Sequence, residues 1–350
     1  MFFMSFLLYL PLLFIYAFGL INLVGISPDL AFRHGLHFLT GLIVFFILSK
    51  LRIRAHFLGI NAHALYWIFI GLLTLVLFFG IEVKGSRRWF DFSFFLFQPS
   101  EFFKIIFIIF LAQIFSSYEH YQQKRTIFLK VMGYTLLPFI LIFRQPDLGS
   151  AVVIFLISIV MMLHSEVPKK HILYFFIFIF FLLPAVWLTL HDYQQDRIIS
   201  FIKPSYDLSG TSYNITQATI AIGSGKMLGR GLGLGKQSSL YFLPEAQTDF
   251  AFSSFVEQFG FLGGFLLILL YLFLFLFLFR KAHQYLNQKD RTTKFYYYYT
   301  IGFSALLVSQ VAVNIGMNLR LLPIAGITLP FVSYGGSSLL TLMLGLALLP

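Results

Sequence analysis

The apolar positions of this chain come in long, nearly unbroken runs, without the alternation that marks a helix or strand half-exposed to water. Ten such runs can be followed, at 5–26, 34–50, 58–80, 99–117, 128–143, 148–164, 171–190, 249–279, 297–317 and 329–350. A stretch of about 18 apolar residues is enough to cross the hydrocarbon of a bilayer as a helix. The pattern therefore predicts an all-α integral membrane protein with ten transmembrane helices. The eighth run is long, and its first part, from Asp249, is expected to be tilted or only partly immersed. The first run is no cleavable leader: it is too long, lacks a small-residue cleavage site and is followed by further spans.

Polar residues collect between the runs, and their charge sets an expected orientation. One group of short connections carries Lys50, Arg52, Arg54, Lys124, Arg125, Lys130, Lys169, Lys170, Arg280, Lys281, Lys289, Arg291 and Lys294. The opposite group carries only Arg33, Lys84, Arg87, Arg88, Arg144 and Arg320. Short cytoplasmic loops are enriched in Lys and Arg, so both termini are expected in the cytoplasm. The segment 191–248 would then lie outside, as the one sizeable aqueous loop of a single membrane domain spanning 1–350. It is too short and too punctuated by glycine to bury its own core. Short helices packed over the mouth of the bundle are the expectation.

Composition agrees. Hydrophobic residues make up 59% and charged residues 11% of 350 positions, where a soluble domain carries about 25% charged residues. Mean hydropathy is +0.84. The 47 phenylalanines exceed what any site needs and are assigned to lipid-facing positions. With no cysteine, disulfides, thiolate metal sites and cysteine nucleophiles are excluded. The net charge of +11 is spread between spans, so it is a topology signal and points to no nucleic-acid partner.

Four polar clusters lie on the side opposite the basic loops, where ionisable residues in or beside spans are costly and usually functional. The first is Lys84-Gly-Ser-Arg87-Arg88-Trp89 with Gln98-Pro-Ser-Glu101 and Lys104. Glu101 and Lys104 are three residues apart on one helix face and can pair, either as a packing ion pair or as part of a site. The second is Arg144-Gln145-Pro-Asp147-Leu-Gly149, where Asp147 reads equally as a helix N-cap or a functional carboxylate. The third is Pro244-Glu245-Ala-Gln-Thr248-Asp249, in which Thr248 or Asp249 could cap the next helix or a carboxylate could serve acid/base chemistry. The fourth is Ser333-Tyr-Gly-Gly-Ser337-Ser338, whose glycines suit close helix approach. Gly223-Ser-Gly225 and the Gly229–Gly235 stretch lack the strand, GK[ST] ending and helix of a nucleotide loop. An outward polar cavity with basic walls and carboxylates suits a lipid-linked phosphate substrate, and equally a proton-coupled transporter.

At these motifs the chain resembles the SEDS family (shape, elongation, division and sporulation). The resemblance rests on KGSRRW, QPSEFFK, QPDLGSAVV, YNITQATIAIGSG, GRGLGLGKQSSLYFLPEAQTDF and NIGMNLRLLPIAGITLPFVSYGGSS, in family order from about residue 84 to 338. It favours the elongation-type, RodA-like branch over the division-type, FtsW-like one. It implies a peptidoglycan glycosyltransferase that polymerises lipid II at the outer face of the bacterial cytoplasmic membrane, the alternative being a lipid II flippase. Asp249 would be the catalytic general base. Lys84, Arg88, Trp89, Gln98, Glu101, Lys104, Gln145, Asp147, Arg197, Tyr213, Gln217, Glu245, Ser333 and Ser337 would line or brace the substrate cavity. No cofactor is certain, a divalent cation (Mg2+ or Mn2+) being left open. The implied partners are lipid II, a class B penicillin-binding protein transpeptidase and membrane lipids. Two departures stand out: Arg320 replaces a small residue, and the chain ends at Pro350 with almost no tail, leaving the last span thinly anchored.

Overall fold

In the computed structural model, which describes residues 2–51, 55–83, 85–92, 95–117, 124–188, 195–196, 199, 201–203, 211–286 and 290–350, every predicted run falls at least partly on a helix. In chain order these helices are α1 (Phe2–Ile26), α2 (Pro28–Lys50), α3 (Ala55–Ile60), α4 (Ala62–Phe79), α5 (Pro99–Ser117), α6 (Lys124–Phe143), α7 (Leu148–Leu163) and α8 (Lys169–Trp187). They continue with α9 (Thr211–Gly225), α10 (Lys236–Ser239), α11 (Ala251–His283), α12 (Arg291–Asn318) and α13 (Gly336–Ala347). Among the described residues seven of them, α1, α2, α4, α5, α6, α11 and α12, are long and apolar enough to cross a membrane, while α7 and α13 are shorter apolar helices.

The helices divide into central and peripheral ones. Within α5 and α12, 78% of the span is buried inside the protein, against 17% of α2. These two pack along each other, and α7 packs on both. The polarity of α12 explains its place: Thr300, Ser304, Ser309, Gln310 and Asn314 are buried along an otherwise apolar helix, where interior neighbours rather than lipid can satisfy them. Phenylalanine serves both environments. Phe78, Phe79 and Phe181 point outward, whereas Phe103, Phe107 and Phe110 of α5 are wholly buried.

Two ends of the bundle are distinct. At one, Arg291 at the start of α12 donates to Ser117 Oγ at the end of α5, at 2.6 Å. The start of α5 and the end of α12 lie at the other, about 28 Å away for a helix of this length, close to the thickness of a hydrocarbon core. The polar clusters gather at this second end.

The structure departs from the sequence expectation in four places. First, a three-stranded antiparallel sheet, β1 (Ile81–Val83), β2 (Ser86–Asp91) and β3 (Leu96–Phe97), occupies the connection between α4 and α5. Second, the run 58–80 is divided between α3 and α4 at Asn61. Third, the run 329–350 is helical only from Gly336, and residues 323–329 have no regular structure. Pro323 and Pro330 cannot donate to a helix. Buried side chains satisfy the backbone there instead. Asn314 Nδ2 donates to Ile327 O at 2.7 Å, Tyr271 OH donates to Pro330 O, and Ser333 Oγ accepts from Leu329 N at 2.8 Å. Irregular backbone at membrane depth survives only where protein groups satisfy it.

Fourth, α11 is broken at Gly260, with φ 71° and ψ −172°. The amides after the break donate to the preceding loop instead, Phe261 N to Lys226 O at 2.8 Å and Leu262 N to Met227 O at 3.1 Å. Residues 251–259 are thus a separate short helix. This backbone region is almost exclusive to glycine, and a Cβ here would lie 2.3 Å from Gly229 N. Gly260→Ala is expected to destabilise the protein by about 1–3 kcal/mol or more, read as a lower thermal midpoint in detergent.

Candidate active site

A continuous polar seam runs across the second end of the bundle. It starts on β2, where Arg88 reaches the turn after α6: its Nε donates to Gln145 O at 2.9 Å and its Nη2 to Pro146 O. Arg88 Nη1 also stands 4.0 Å from Asp147 Oδ1, and the guanidinium lies 5.9 Å from the centre of the Trp89 ring. Asp147 is buried and does several things at once. Its Oδ1 accepts from Ser150 N at 3.1 Å, capping α7, and its Oδ2 accepts from Gln98 Nε2 at 3.4 Å. The cap and the polar contact are therefore the same carboxylate. Gln145 is buried too, its Nε2 donating to Leu73 O at 2.9 Å.

Gln98 carries the seam to the last helix. Its backbone N donates to Ser337 Oγ at 3.2 Å, and that hydroxyl donates to Leu96 O at 2.6 Å. Ser338, next in the chain, meets Thr328 Oγ1 at 3.0 Å. Gly149 permits the adjacent contact: a Cβ there would lie 2.4 Å from Ala325 O. The first turn of α7 thus presses on segment 325–327, which in turn borders Asp249. A Cβ on Gly326 would lie 3.6 Å from Asp249 Oδ2.

Asp249 is half-buried, one residue before the cap position of α11. The cap is Phe250, with no side-chain hydrogen bond, so neither Thr248 nor Asp249 serves as the helix cap. The backbone of Asp249 is instead clamped by α12: Asn314 Nδ2 and Asn318 Nδ2 each donate to Asp249 O at 3.0 Å. Asn318 Oδ1 in return accepts from Ser253 N at 3.0 Å and Ser253 Oγ at 2.5 Å. From the other side, Ser333 Oγ donates to Thr248 O at 2.5 Å and Tyr334 N to Gln247 O at 2.8 Å. Glu245 Oε2 accepts from Thr248 Oγ1 at 2.8 Å. The carboxylate of Asp249 thus sits on a backbone fixed by two asparagines, at the rim of the seam.

The remaining expected site residues fall into three groups. Glu101 and Lys104 are buried on α5 and close on each other, Nζ to Oε1 at 2.6 Å. Tyr213 and Gln217 are half-buried one turn apart on α9, whose Ile215 and Ala218 pack with Ala246 and Phe250 beside Asp249. No hydrogen bond draws them into the seam among the described residues. Lys84 and Arg197 lie outside the described residues. Among the described residues no three of His, Asp and Glu converge to hold a metal ion.

Sequence reasoning overlooked the asparagine clamp, although Asn314 and Asn318 stand in the NIGMNL stretch. The available signal was two amide side chains four residues apart inside an apolar span. It also overlooked Glu257, whose buried carboxylate accepts from Gln237 N at 2.9 Å, Ser238 N at 3.0 Å and Ser238 Oγ at 2.7 Å. Those bonds anchor the loop before Asp249 to α11.

Comparison with known proteins gives a family and a shared fold. The family model described as "Cell cycle protein", covering FtsW, RodA and SpoVE, matches residues 1–350. The chain is 35% identical over 324 residues to the peptidoglycan glycosyltransferase MrdB of Helicobacter pylori, covering 91% of this chain and 81% of that one. It is 38% identical over 277 residues to stage V sporulation protein E of Bacillus subtilis, covering 78% and 73%. Its fold superposes on a chain of a peptidoglycan synthase complex that coordinates polymerization and crosslinking, with TM-score 0.82, 30% identity and coverage of 98% and 95%. The rod shape determining protein RodA of Thermus thermophilus superposes with TM-score 0.71 at 28% identity, covering 98% and 95%. A family match over the whole chain, relatives of this identity and a shared fold place this multi-pass membrane protein in the FtsW/RodA/SpoVE family, the SEDS family.

Proposed function

We propose that this chain is a peptidoglycan glycosyltransferase that polymerises lipid II into glycan strands at the outer face of the bacterial cytoplasmic membrane. The observation that carries the proposal is the clamped backbone of Asp249, which holds a half-buried carboxylate at the rim of a seam that includes Arg88. In the reaction, Asp249 takes the proton from the 4-hydroxyl of the acceptor GlcNAc. The oxygen attacks C1 of the donor MurNAc, the bond from C1 to the pyrophosphate breaks, and undecaprenyl pyrophosphate leaves with inversion at C1. Arg88 and Asp147 brace the seam, while Gln98, Ser333 and Ser337 hold its walls. Lys84, Trp89, Glu101, Lys104, Gln145, Arg197, Tyr213, Gln217 and Glu245 complete the proposed cavity.

Both termini face the cytoplasm, ten helices cross the bilayer and residues 191–248 form the outer loop of one membrane domain. The MrdB relative aligns over more of this chain than the FtsW relative of Hydrogenovibrio crunogenus, 91% against 79%, which supports the elongation-type role. A class B penicillin-binding protein is the proposed partner, in keeping with the superposed synthase complex. A flippase is not favoured, since the named relatives are glycosyltransferases.

The test is reconstitution of the protein with labelled lipid II, with and without the transpeptidase. Glycan chains are expected in at least one of these conditions. Lipid II crossing between leaflets with no chains in either would overturn the proposal.

A further inference from the structure

The segment between α9 and α10 carries side chains that do not suit an aqueous loop. Leu228 and Leu234 are 78% and 70% exposed, and Met227 and Leu232 are exposed with them. Lys226 and Arg230 are exposed among these apolar residues, and no acidic residue occurs from 208 to 244. Apolar side chains interleaved with cations suit the boundary between acyl chains and headgroups, where Lys and Arg lay their stems in the apolar layer and their charge outside it.

Two neighbours fix the depth of this segment. The first is α11 beyond its break. Residues 261–279 hold no charged side chain before Arg280 and Lys281, and as a helix they are about 28 Å long, close to the thickness of a hydrocarbon core. With Arg280 and Lys281 at one border, Phe261 stands at the other, the one at the seam end. Phe261, Leu262 and Phe265 are exposed there. Phe261 N donates to Lys226 O and Leu262 N to Met227 O, so residues 226 and 227 stand at the same border. The second neighbour is α1, whose apolar span ends at Ile26. A Cβ on Gly25 would lie 2.9 Å from Gly233 N, so the far end of the segment reaches that border too.

A loop enters lipid only where protein groups satisfy its backbone, and here they do. Arg230 N donates to Glu257 O at 2.9 Å, Gly231 N to Gln258 O at 3.0 Å and Gly233 N to Gln258 Oε1 at 3.1 Å. Gly229 N donates to Gly225 O at 2.8 Å and Leu234 N to Gly231 O at 3.2 Å. Gly229, with φ 86°, makes the close fit possible, since a Cβ there would lie 2.1 Å from Gln258 O.

We propose that segment 226–234 is inserted into the bilayer border, with Met227, Leu228, Leu232 and Leu234 among the acyl chains and Lys226 and Arg230 on the phosphates of phospholipid headgroups. The occupant is lipid because hydrogen bonds make the segment continuous with the exposed apolar side of α11 at the depth where that span begins. The inference goes beyond the glycosyltransferase reading and stands whatever reaction occurs at Asp249. Its consequence is positional: the chain that leads through α10 to Asp249 is seated on the membrane itself.

The chain contains no cysteine, so a single introduced cysteine carries one fluorophore without background. Leu228→Cys, Leu234→Cys and Arg230→Cys are labelled in the full chain and reconstituted alone in phospholipid nanodiscs. The standards are Leu272→Cys, exposed midway along α11, and Glu166→Cys, exposed in the turn after α7. Quenchers are a nitroxide on the acyl chain, a nitroxide on the headgroup, and iodide in the water. The labels of Leu228→Cys and Leu234→Cys are expected to follow the acyl-chain nitroxide as Leu272→Cys does, and to be quenched by iodide several-fold less than Glu166→Cys. That of Arg230→Cys should respond most to the headgroup nitroxide. An unchanged thermal midpoint identifies folded variants. Iodide quenching of the two leucine positions equal to that of Glu166→Cys would overturn the proposal. Shielding from iodide without quenching by either nitroxide, or shielding that appears only once a transpeptidase is added, would place protein over the segment and overturn it as well.

Discussion

Asp249→Asn protein is expected to fold and insert normally yet polymerise lipid II about 10²–10⁴-fold more slowly, the usual contribution of a positioned general base. The substitution is nearly isosteric. It leaves the backbone carbonyl in place, so the bonds from Asn314 and Asn318, both at 3.0 Å, should persist. Substrate binding rests on other side chains, so the loss should fall on kcat with KM little changed. Glu245→Gln is the matched control. Its carboxylate accepts from Thr248 Oγ1 at 2.8 Å, a bond an amide oxygen can also accept, so a much smaller loss is expected. A folded Asp249→Asn protein that polymerises at the normal rate would remove Asp249 from the role of base.

Lys104→Met is expected to cost about 3–5 kcal/mol, because it strands the buried Glu101 carboxylate without its partner. The 2.6 Å contact between Nζ and Oε1 is closed on itself, and Lys104 is only 2% exposed. Replacing both members with apolar residues of similar volume is often neutral or stabilising. Glu101→Leu/Lys104→Met should therefore recover the thermal midpoint that the single variant loses. Where this pair only braces α5, the double variant should also polymerise within about tenfold of wild type, tenfold being about 1.4 kcal/mol. Full stability with activity abolished would instead assign the pair a direct contact with substrate. The single variant alone cannot separate these roles, since lost stability and lost activity would arrive together.

Much of the candidate site was legible in the sequence. Arg88, Gln98, Asp147, Ser333, Ser337 and Asp249 stand in short polar clusters that interrupt apolar runs, and charge in such places is costly enough to need a reason. At Asp147 the cap reading holds, its Oδ1 accepting from Ser150 N, while its Oδ2 accepts from Gln98. Thr248 and Asp249 went the other way, because the helix begins after Phe250. Local sequence offers several capping candidates in a row, and only tertiary contacts choose among them.

The sequence by itself determined that the chain is a multi-pass membrane protein, roughly where its apolar helices lie, and that its polar clusters interrupt the apolar runs. Run length and charge placement decide those matters, and both are local properties. Tertiary structure alone decided which helices are central. Lipid and protein interior are about equally apolar, so α2 and α5 read alike although 17% of one and 78% of the other is buried. It also decided the break at Gly260 and the irregular backbone before α13, where the lost helical bonds are made by partners such as Lys226, Asn314 and Tyr271. Those partners are distant in sequence, and a backbone group in a membrane can leave its helix only where such a partner waits for it.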